Sequence, residues 1–177
     1  MESYAEKFRD ALVEETKRRL LEESFPRLRQ CLSMLTDEEI WRRPNPHSNG
    51  VGNLVLHLCG NALQWIGSGL GGDADERKRQ WEFDERGPLP REELLALIQK
   101  TEETVARVVD QVSPEDLLEM RRVQTFEENG LSILVHVVEH FSYHVGQISY
   151  FTKALKDVDL GYYREVVQSE VKKLKSL

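Results

Sequence analysis

The sequence predicts an all-α fold: a four-helix bundle with one crossover connection and an extra C-terminal helix. Apolar residues recur at spacings of three, four or seven over four long segments, which is the period of an amphipathic helix. No segment shows the strict alternation of a half-buried strand. A glycine-rich and then charged stretch near residues 67–90 is loop-like and would let the chain cross the bundle. All 177 residues are expected to form one domain, 1–177.

The first helix is predicted over residues 3–35, with Pro26 kinking or dividing it. The connector that follows contains one short helical turn, because Thr36 and Glu39 have the spacing of a capping box. Two prolines in the segment RRPNPHSNG then end that turn.

The second helix is predicted to begin at Ser48 or Asn49 and to end near Gly69. After it comes the sequence GSGLGGDADERKR, in which glycine is followed by charge, as in loops. We therefore expect a loop at this sequence and the crossover near residues 67–90.

The third helix is predicted over residues 91–112, because Pro90 precedes it and acidic residues fill its first turn. A short turn begins at Ser113. The fourth helix covers about 130–156, and 162–175 is predicted to be the C-terminal helix.

Composition excludes several classes of function. The formal net charge of −7 argues against nucleic acid as the main partner, since phosphate binding requires clustered Lys and Arg. No apolar run approaches the ~20 residues that cross a bilayer, and the charged N-terminus does not resemble a signal peptide. We expect no membrane partner, and a cytoplasmic protein. Cys31 and Cys59 are expected to be buried small residues, not nucleophiles.

The most informative feature is a row of histidines in the fourth helix, within GLSILVHVVEHFSYHVGQISYF. His136, His140 and His144 are each four residues apart, so they occupy a stripe about 80° wide. Imidazoles in an apolar segment require partners. A metal ion is a common partner of clustered neutral imidazoles, so this helix is the place to look for function.

Another ligand would have to come from elsewhere, and His57 on the second helix is the best candidate. It shares one sector of that helix with Asn53, Gly60, Asn61 and Gln64. Such a sector could face solvent, but solvent-facing sectors usually carry Lys and Glu, and this one has neither. Histidines from two helices would leave coordination positions open, as in a reactive site.

Further polar residues beside these histidines could orient ligands or bind substrate, namely Asn61, Glu139, Tyr143 and Gln147. For Tyr143 and Gln147, a hydrogen-bonded core position is an equal alternative. His47, in the proline-rich connector, is expected at the surface.

A competing motif assigns the ligands differently. His136, Glu139 and His140 match the H-x-x-E-H pattern of inverted zinc peptidases, in which the glutamate is the general base. The pattern is short, and that peptidase fold is larger and contains β-sheet. We therefore rank this alternative well below the first.

Taken together, these motifs resemble the DinB/YfiT-like superfamily. Members carry one histidine on the second helix, here His57, and an H-x3-H followed closely by Gly-Gln, here HFSYHVGQ at 140–147. The wider pattern of NLVLHLCGN, WEFDERG and VEHFSYHVGQISYFTKAL resembles an uncharacterised bacterial branch, and the resemblance covers nearly the whole chain.

The resemblance implies a four-helix bundle, a divalent metal, zinc or nickel, held by His57, His140 and His144, and a homodimer. Characterised relatives include transferases and isomerases that use small thiols. The arginine that usually precedes Gly-Gln is Val145 here, so the resemblance does not carry the role of that arginine over to this chain. His136 is ranked first as a residue supporting the ligands, then as a fourth ligand, then as a packing residue.

The leading hypothesis is a metal-dependent enzyme that transfers a low-molecular-weight thiol, as cosubstrate, to an electrophilic small molecule, because a coordinated thiol loses its proton. The alternatives are a hydrolase that uses metal-bound hydroxide, a non-catalytic metal-binding stress-response protein, and a structural bundle in which the histidines satisfy one another.

Overall fold

A computed structural model describes residues 3–87 and 89–164 and confirms the all-α prediction. The elements in chain order are α1 (Tyr4–Lys17), π1 (Arg18–Ser24), α2 (Phe25–Met34), α3 (Asp37–Trp41), α4 (Val51–Ala62), π2 (Leu63–Leu70), α5 (Arg79–Asp84), α6 (Arg91–Gln111), α7 (Pro114–Leu118), β1 (Met120–Val123), β2 (Phe126–Asn129) and α8 (Gly130–Lys156). The labels π1 and π2 denote π-helical segments. The predicted C-terminal helix at 162–175 lies, beyond Arg164, outside the described residues.

Four long helical segments form the bundle: α1–π1–α2, α4–π2, α6 and α8. The first packs against the third and fourth, and the second also packs against the third and fourth. The first and second segments are therefore diagonally opposite. Their shared core is apolar, with Phe25 and Phe141 in edge-to-face contact at 5.2 Å between ring centroids.

The second and third segments run parallel. Gly67 faces Thr104 and Gly71 faces Val108, so the contacts advance in the same direction along both. A connection between parallel neighbours must return along the length of the bundle, and residues 71–90 do so. Glu82, halfway along this connection, lies beside Gly60. The predicted crossover is confirmed, but it contains the short helix α5, which the loop-like composition did not predict.

Pro26 lies at the start of α2, directly after π1. Proline has no N–H and clashes with the carbonyl four residues earlier, and a widened π turn accommodates both effects. The Ser24 hydroxyl donates a 2.7 Å hydrogen bond to the Arg19 carbonyl. This bond replaces part of the backbone hydrogen bonding that the widened turn loses. The predicted disturbance at Pro26 is therefore a widening that leaves the helix continuous.

One short hairpin contradicts the expectation that no segment is a strand. β1 and β2 pair antiparallel, with Val123 opposite Phe126, and packing of Val123 against Gly69 anchors the hairpin to the end of the second segment. Its turn places Gln124 at a φ of 57°. Two-residue hairpin turns usually contain Asn-Gly or Asp-Gly, whereas the turn residues here are Gln-Thr.

None of the described helices has the length and apolarity needed to span a bilayer.

Candidate metal centre

The polar sector of the second helical segment points into the bundle, as predicted. Asn53, His57, Asn61 and Gln64 are all buried, among apolar neighbours on every other side of α4. The segment begins one or two residues later than predicted, since Gly50 is its N-cap, and the Asn53 side chain accepts a hydrogen bond from the Gly50 amide. The start of the helix thus fixes Asn53 and, one turn later, His57.

Three histidines meet where this segment crosses α8. His57, His140 and His144 each present one ring nitrogen, and these atoms all lie within 4.8 Å of one another. The Nε2 atoms of His57 and His140 are 3.0 Å apart. His57 is buried, whereas His140 and His144 are half-buried, so the cluster is closed on the side of α4 and more open on the side of α8.

The other ring nitrogen of His57 is held by the crossover. Its Nδ1 lies 2.9 Å from Oε2 of Glu82. Arg77 forms two hydrogen bonds to the same carboxylate, from Nε to Oε1 at 2.7 Å and from Nη2 to Oε2 at 2.9 Å. The side chains of Arg77 and Glu82 are each only 4% exposed. A buried ion pair on the crossover therefore supports a buried histidine of the cluster.

Arg77 is also held by Gln64, which two other side chains hold in turn. Its Nη1 donates to Oε1 of Gln64 at 2.9 Å, and Gln64 donates to Oδ2 of Asp75 at 2.7 Å. Gln124, in the turn of the hairpin, also donates to Oε1 of Gln64, at 2.6 Å. The hairpin, the crossover and the second segment therefore share one hydrogen-bond network behind His57.

Two residues of α4 make the close approach of the crossover feasible. Asn53 donates to the carbonyls of Glu82 and Glu85, both at 2.9 Å, which holds the end of α5 in place. Gly60 faces the Glu82 carboxylate, and a Cβ at residue 60 would overlap Oε1. Glycine is unfavourable within a helix, and its use here matches the need for close approach.

The environment keeps these groups in the protonation states that metal binding requires. Burial, reinforced by His144 and His57 nearby, lowers the pKa of His140 to about 3. Burial also lowers the pKa of His144. For Glu82, burial alone would raise the pKa, but hydrogen bonds from Arg77 and His57 outweigh it and lower the pKa. At neutral pH the imidazoles of His140 and His144 are therefore neutral and the Glu82 carboxylate is ionised.

His136 lies one turn before the cluster and stacks on His140, with ring centroids 5.6 Å apart. Its Nε2 is 3.3 Å from Nδ2 of Asn61, and its ring lies 4.1 Å from that of Trp65. Burial lowers its pKa. Among the described residues, Oδ1 of Asn61 and Nε1 of Trp65 are buried without a hydrogen-bond partner.

The remaining predicted site residues lie on the outer side of α8. Gln147 is exposed, and its Oε1 lies 2.8 Å from Nδ1 of His144. Tyr143 is exposed and contacts the ring of His144 at 4.9 Å between centroids. Glu139 is exposed, so the H-x-x-E-H alternative would place its general base in solvent. His47 is exposed, as predicted.

The donor set fits a borderline divalent metal. Imidazole suits zinc, nickel, copper and iron, whereas magnesium and calcium prefer oxygen ligands. In a tetrahedral zinc site with bonds of about 2.0–2.1 Å, ligand nitrogens lie roughly 3.3 Å apart. The 3.0 Å between His57 and His140 is close to that separation. With its Nδ1 occupied by Gln147, His144 has Nε2 available to a metal.

Comparison with known proteins agrees with this architecture. Residues 7–163 match the model of a family described as "Protein of unknown function (DUF1572)". The chain belongs to this family. No match was found among proteins with curated descriptions.

The fold of this DUF1572 member is also found in a crystal structure of a DinB-like protein from Bacillus cereus ATCC 10987. The two share 18% sequence identity with a TM-score of 0.60, over 75% of this chain and 86% of that chain. At this sequence identity, the similarity is evidence for a shared fold and for nothing more. It confirms the DinB-like fold that the sequence resemblance implied.

Arg77 and Glu82 were not predicted as site residues in this DUF1572 chain. Both lie in a charged stretch that composition assigned to a loop. The signal that could have revealed them is Gly60, a glycine in the middle of an apolar helix one turn from His57, which indicates that another group approaches closely.

Proposed function

We propose that this protein binds one divalent metal ion, zinc or nickel, through His57, His140 and His144. We further propose that it is an enzyme that transfers a low-molecular-weight thiol to an electrophilic small molecule. The observation that carries the proposal is the convergence of three imidazole nitrogens within 4.8 Å of one another, one from α4 and two from α8. A bound ion would act as a Lewis acid and lower the pKa of a coordinated thiol.

The shape of the site supports a reactive over a purely structural metal. Three protein ligands leave coordination positions open, whereas structural zinc sites use four. The half-buried rings of His140 and His144 leave the side facing α8 accessible to a small molecule. The Nε2 atoms of His57 and His140 also lie within hydrogen-bonding distance of each other. A structural bundle would also use that contact, so metal analysis is required to separate the two.

Residues beside the cluster would bind and orient the second substrate. Oδ1 of Asn61, as an acceptor, and Nε1 of Trp65, as a donor, have no hydrogen-bond partner among the residues that the structure describes. Trp65 and the half-exposed Phe126, 6.1 Å apart between ring centroids, provide an apolar surface. His136, kept neutral by burial, accepts a hydrogen bond from Asn61 and would hold that side chain in place.

Metal analysis of the purified protein tests the binding step. We expect about one equivalent per chain in the wild type, a sharp fall in His140→Ala and His144→Ala, and no change in His47→Ala, whose histidine is exposed and is not part of the cluster. Loss of metal in His136→Ala with retention in His144→Ala would favour the peptidase-like ligand set.

Turnover tests the chemical step. Metal-loaded protein is incubated with several low-molecular-weight thiols and chloronitrobenzene, whose chloride is displaced as the carbon–sulfur bond forms. We expect thiol-dependent product that is lost in His140→Ala and retained in His47→Ala. Turnover of an activated ester without thiol would identify a hydrolase. Metal binding without turnover across thiols and metals would identify a non-catalytic metal-binding protein.

A further inference from the structure

We infer that Glu82, held by Arg77, is a positioning residue that sets the tautomer and orientation of His57. The inference rests on the proposed metal site and extends it to the crossover. In this arrangement Nδ1 of His57 carries the proton and Nε2 presents its lone pair to the cluster. The crossover would then be part of the metal centre as well as a link between helices.

The hydrogen-bond pattern specifies the proton's position. Glu82 is ionised beside Arg77, so its oxygens only accept hydrogen bonds. Because Oε2 of Glu82 lies 2.9 Å from Nδ1 of His57, that nitrogen must donate. In its neutral form the imidazole has one N–H, so Nε2 is then left with a lone pair. Nε2 is the atom that faces His140.

Arg77 presents the only competing contact at Nδ1 in the part of the chain that the structure describes. Its Nη2 lies 3.2 Å from Nδ1, longer than the 2.9 Å to Glu82. The same Nη2 already donates to Oε2 of Glu82 at 2.9 Å. Arg77 is therefore better described as holding the carboxylate in place than as a donor to His57.

The surrounding chain is arranged around this contact. Gly60 leaves room for the carboxylate, Asn53 holds the backbone of Glu82, and Gln64 holds Arg77. Glu82 and His57 are both buried, so their hydrogen bond is protected from competing solvent. This degree of support distinguishes the pair from a chance surface ion pair.

The three histidines of the cluster differ in this respect. His57 has an anionic partner at Nδ1, His144 has the neutral amide of Gln147, and Nδ1 of His140 is buried without a partner among the described residues. A carboxylate partner raises the basicity of a ligating imidazole more than an amide does. His57 is therefore expected to be the anchoring ligand of the three.

The experiment measures the His57 tautomer and the metal affinity in the same variants. Two-bond proton–nitrogen correlation spectra of the metal-free protein, in mildly alkaline buffer, report which ring nitrogen is protonated. Co(II) titration with optical detection reports affinity. Glu82→Gln removes the charge, and Glu76→Gln removes the same charge from an exposed position on the same crossover.

We expect the wild type and Glu76→Gln to show His57 protonated at Nδ1. Glu82→Gln should show mixed tautomers, because an amide can accept or donate, and an affinity weaker by about 10–100-fold. Protonation of His57 at Nε2 in the wild type would overturn the inference. Weaker affinity with an unchanged tautomer would also overturn it, because Glu82 would then have only a structural role.

Glu82→Gln leaves Arg77 buried without its partner, so this variant could unfold. Arg77→Gln/Glu82→Gln removes both charges and keeps both side chains similar in size, and we expect it to fold and still lose the tautomer preference. Glu82→Asp keeps the charge and should retain part of that preference. A normal tautomer and affinity in the double variant would contradict the inference.

The design separates this inference from the proposed function. If the wild type binds no Co(II) or zinc at all, the proposed metal site fails, and the tautomer measurement in metal-free protein still decides the role of Glu82. If the wild type binds metal and Glu82→Gln behaves as Glu76→Gln, the inference fails and the metal site stands.

Discussion

The two sides of the candidate metal centre are built differently. On the side of α4, His57 is buried and held by Glu82 and Arg77, which the crossover brings into the bundle. On the side of α8, His140 and His144 are half-buried, and their one hydrogen-bonding side chain outside the cluster, among the described residues, is the exposed Gln147. The side of α4 is therefore the rigid side of the centre, and the side of α8 is the adaptable one.

This difference suggests that the two sides have different roles when a metal and a substrate bind. A preorganised ligand reduces the reorganisation that accompanies metal binding, whereas less constrained ligands permit small movements when a substrate occupies the open positions. The rigid side consists of charged residues whose burial demands complete pairing. The more open side consists of neutral groups that tolerate partial exposure. Perturbations of the two sides should therefore differ in size and kind.

The largest effect is expected from breaking the buried ion pair. Arg77→Met keeps most of the side-chain length but leaves the Glu82 carboxylate buried without its partner, which should lower the free energy of unfolding by about 3–5 kcal/mol. Lys17→Met, which breaks the more exposed Lys17–Asp110 pair, should change it little. Urea unfolding of both variants measures the difference. Equal stability of the two would show that the crossover side is not the rigid one.

A smaller effect is expected from filling the space beside Glu82. Gly60→Ala would displace the carboxylate, so metal affinity should fall by about 10–100-fold and the free energy of unfolding by about 1–3 kcal/mol. Gly146→Ala, on an exposed part of α8 with no atom near its Cβ position, should raise stability by up to about 1 kcal/mol through helix propensity. Calorimetry measures the stability of both variants, and Co(II) titration measures their metal affinity.

An unchanged metal affinity in Gly60→Ala would show that Glu82 does not need its present position. A loss of affinity in Gly146→Ala would place a tightly packed region on the side of α8, contrary to the comparison.

The histidines of α8 predict a dependence of stability on pH in the metal-free protein. The pKa of His140 is lowered to about 3 by burial and neighbouring imidazoles, from 6.5 in an unfolded chain. Between those values the unfolded state binds more protons, so stability is full above about pH 6.5 and falls as pH decreases toward 3. Urea midpoints across this range should decrease with pH. His140→Gln should flatten the curve, and the exposed His47→Gln should not.

The contrast between the two sides also explains which features could be predicted from the sequence. Helical periodicity predicted the long segments, and the spacing of His136, His140 and His144 identified the site helix, because both are local properties. The Arg77–Glu82 ion pair could not be predicted from the sequence. Both residues are twenty or more positions from His57 in the chain and contact it only because the crossover passes beside it. The hairpin was missed because it is held by Val123 against Gly69, with no turn signature.

The smallest effect is expected at the exposed amide. Gln147→Ala removes the 2.8 Å contact to Nδ1 of His144, but solvent can replace the lost acceptor because Gln147 is exposed. Co(II) affinity should therefore fall by about 10-fold or less, below the effect of Glu82→Gln. Ser142→Ala, at an exposed position on the same helix, provides the control and should leave affinity unchanged. If Gln147→Ala weakened binding as much as Glu82→Gln, the amide and the carboxylate would contribute equally, and the asymmetry of the two sides would not extend to metal affinity.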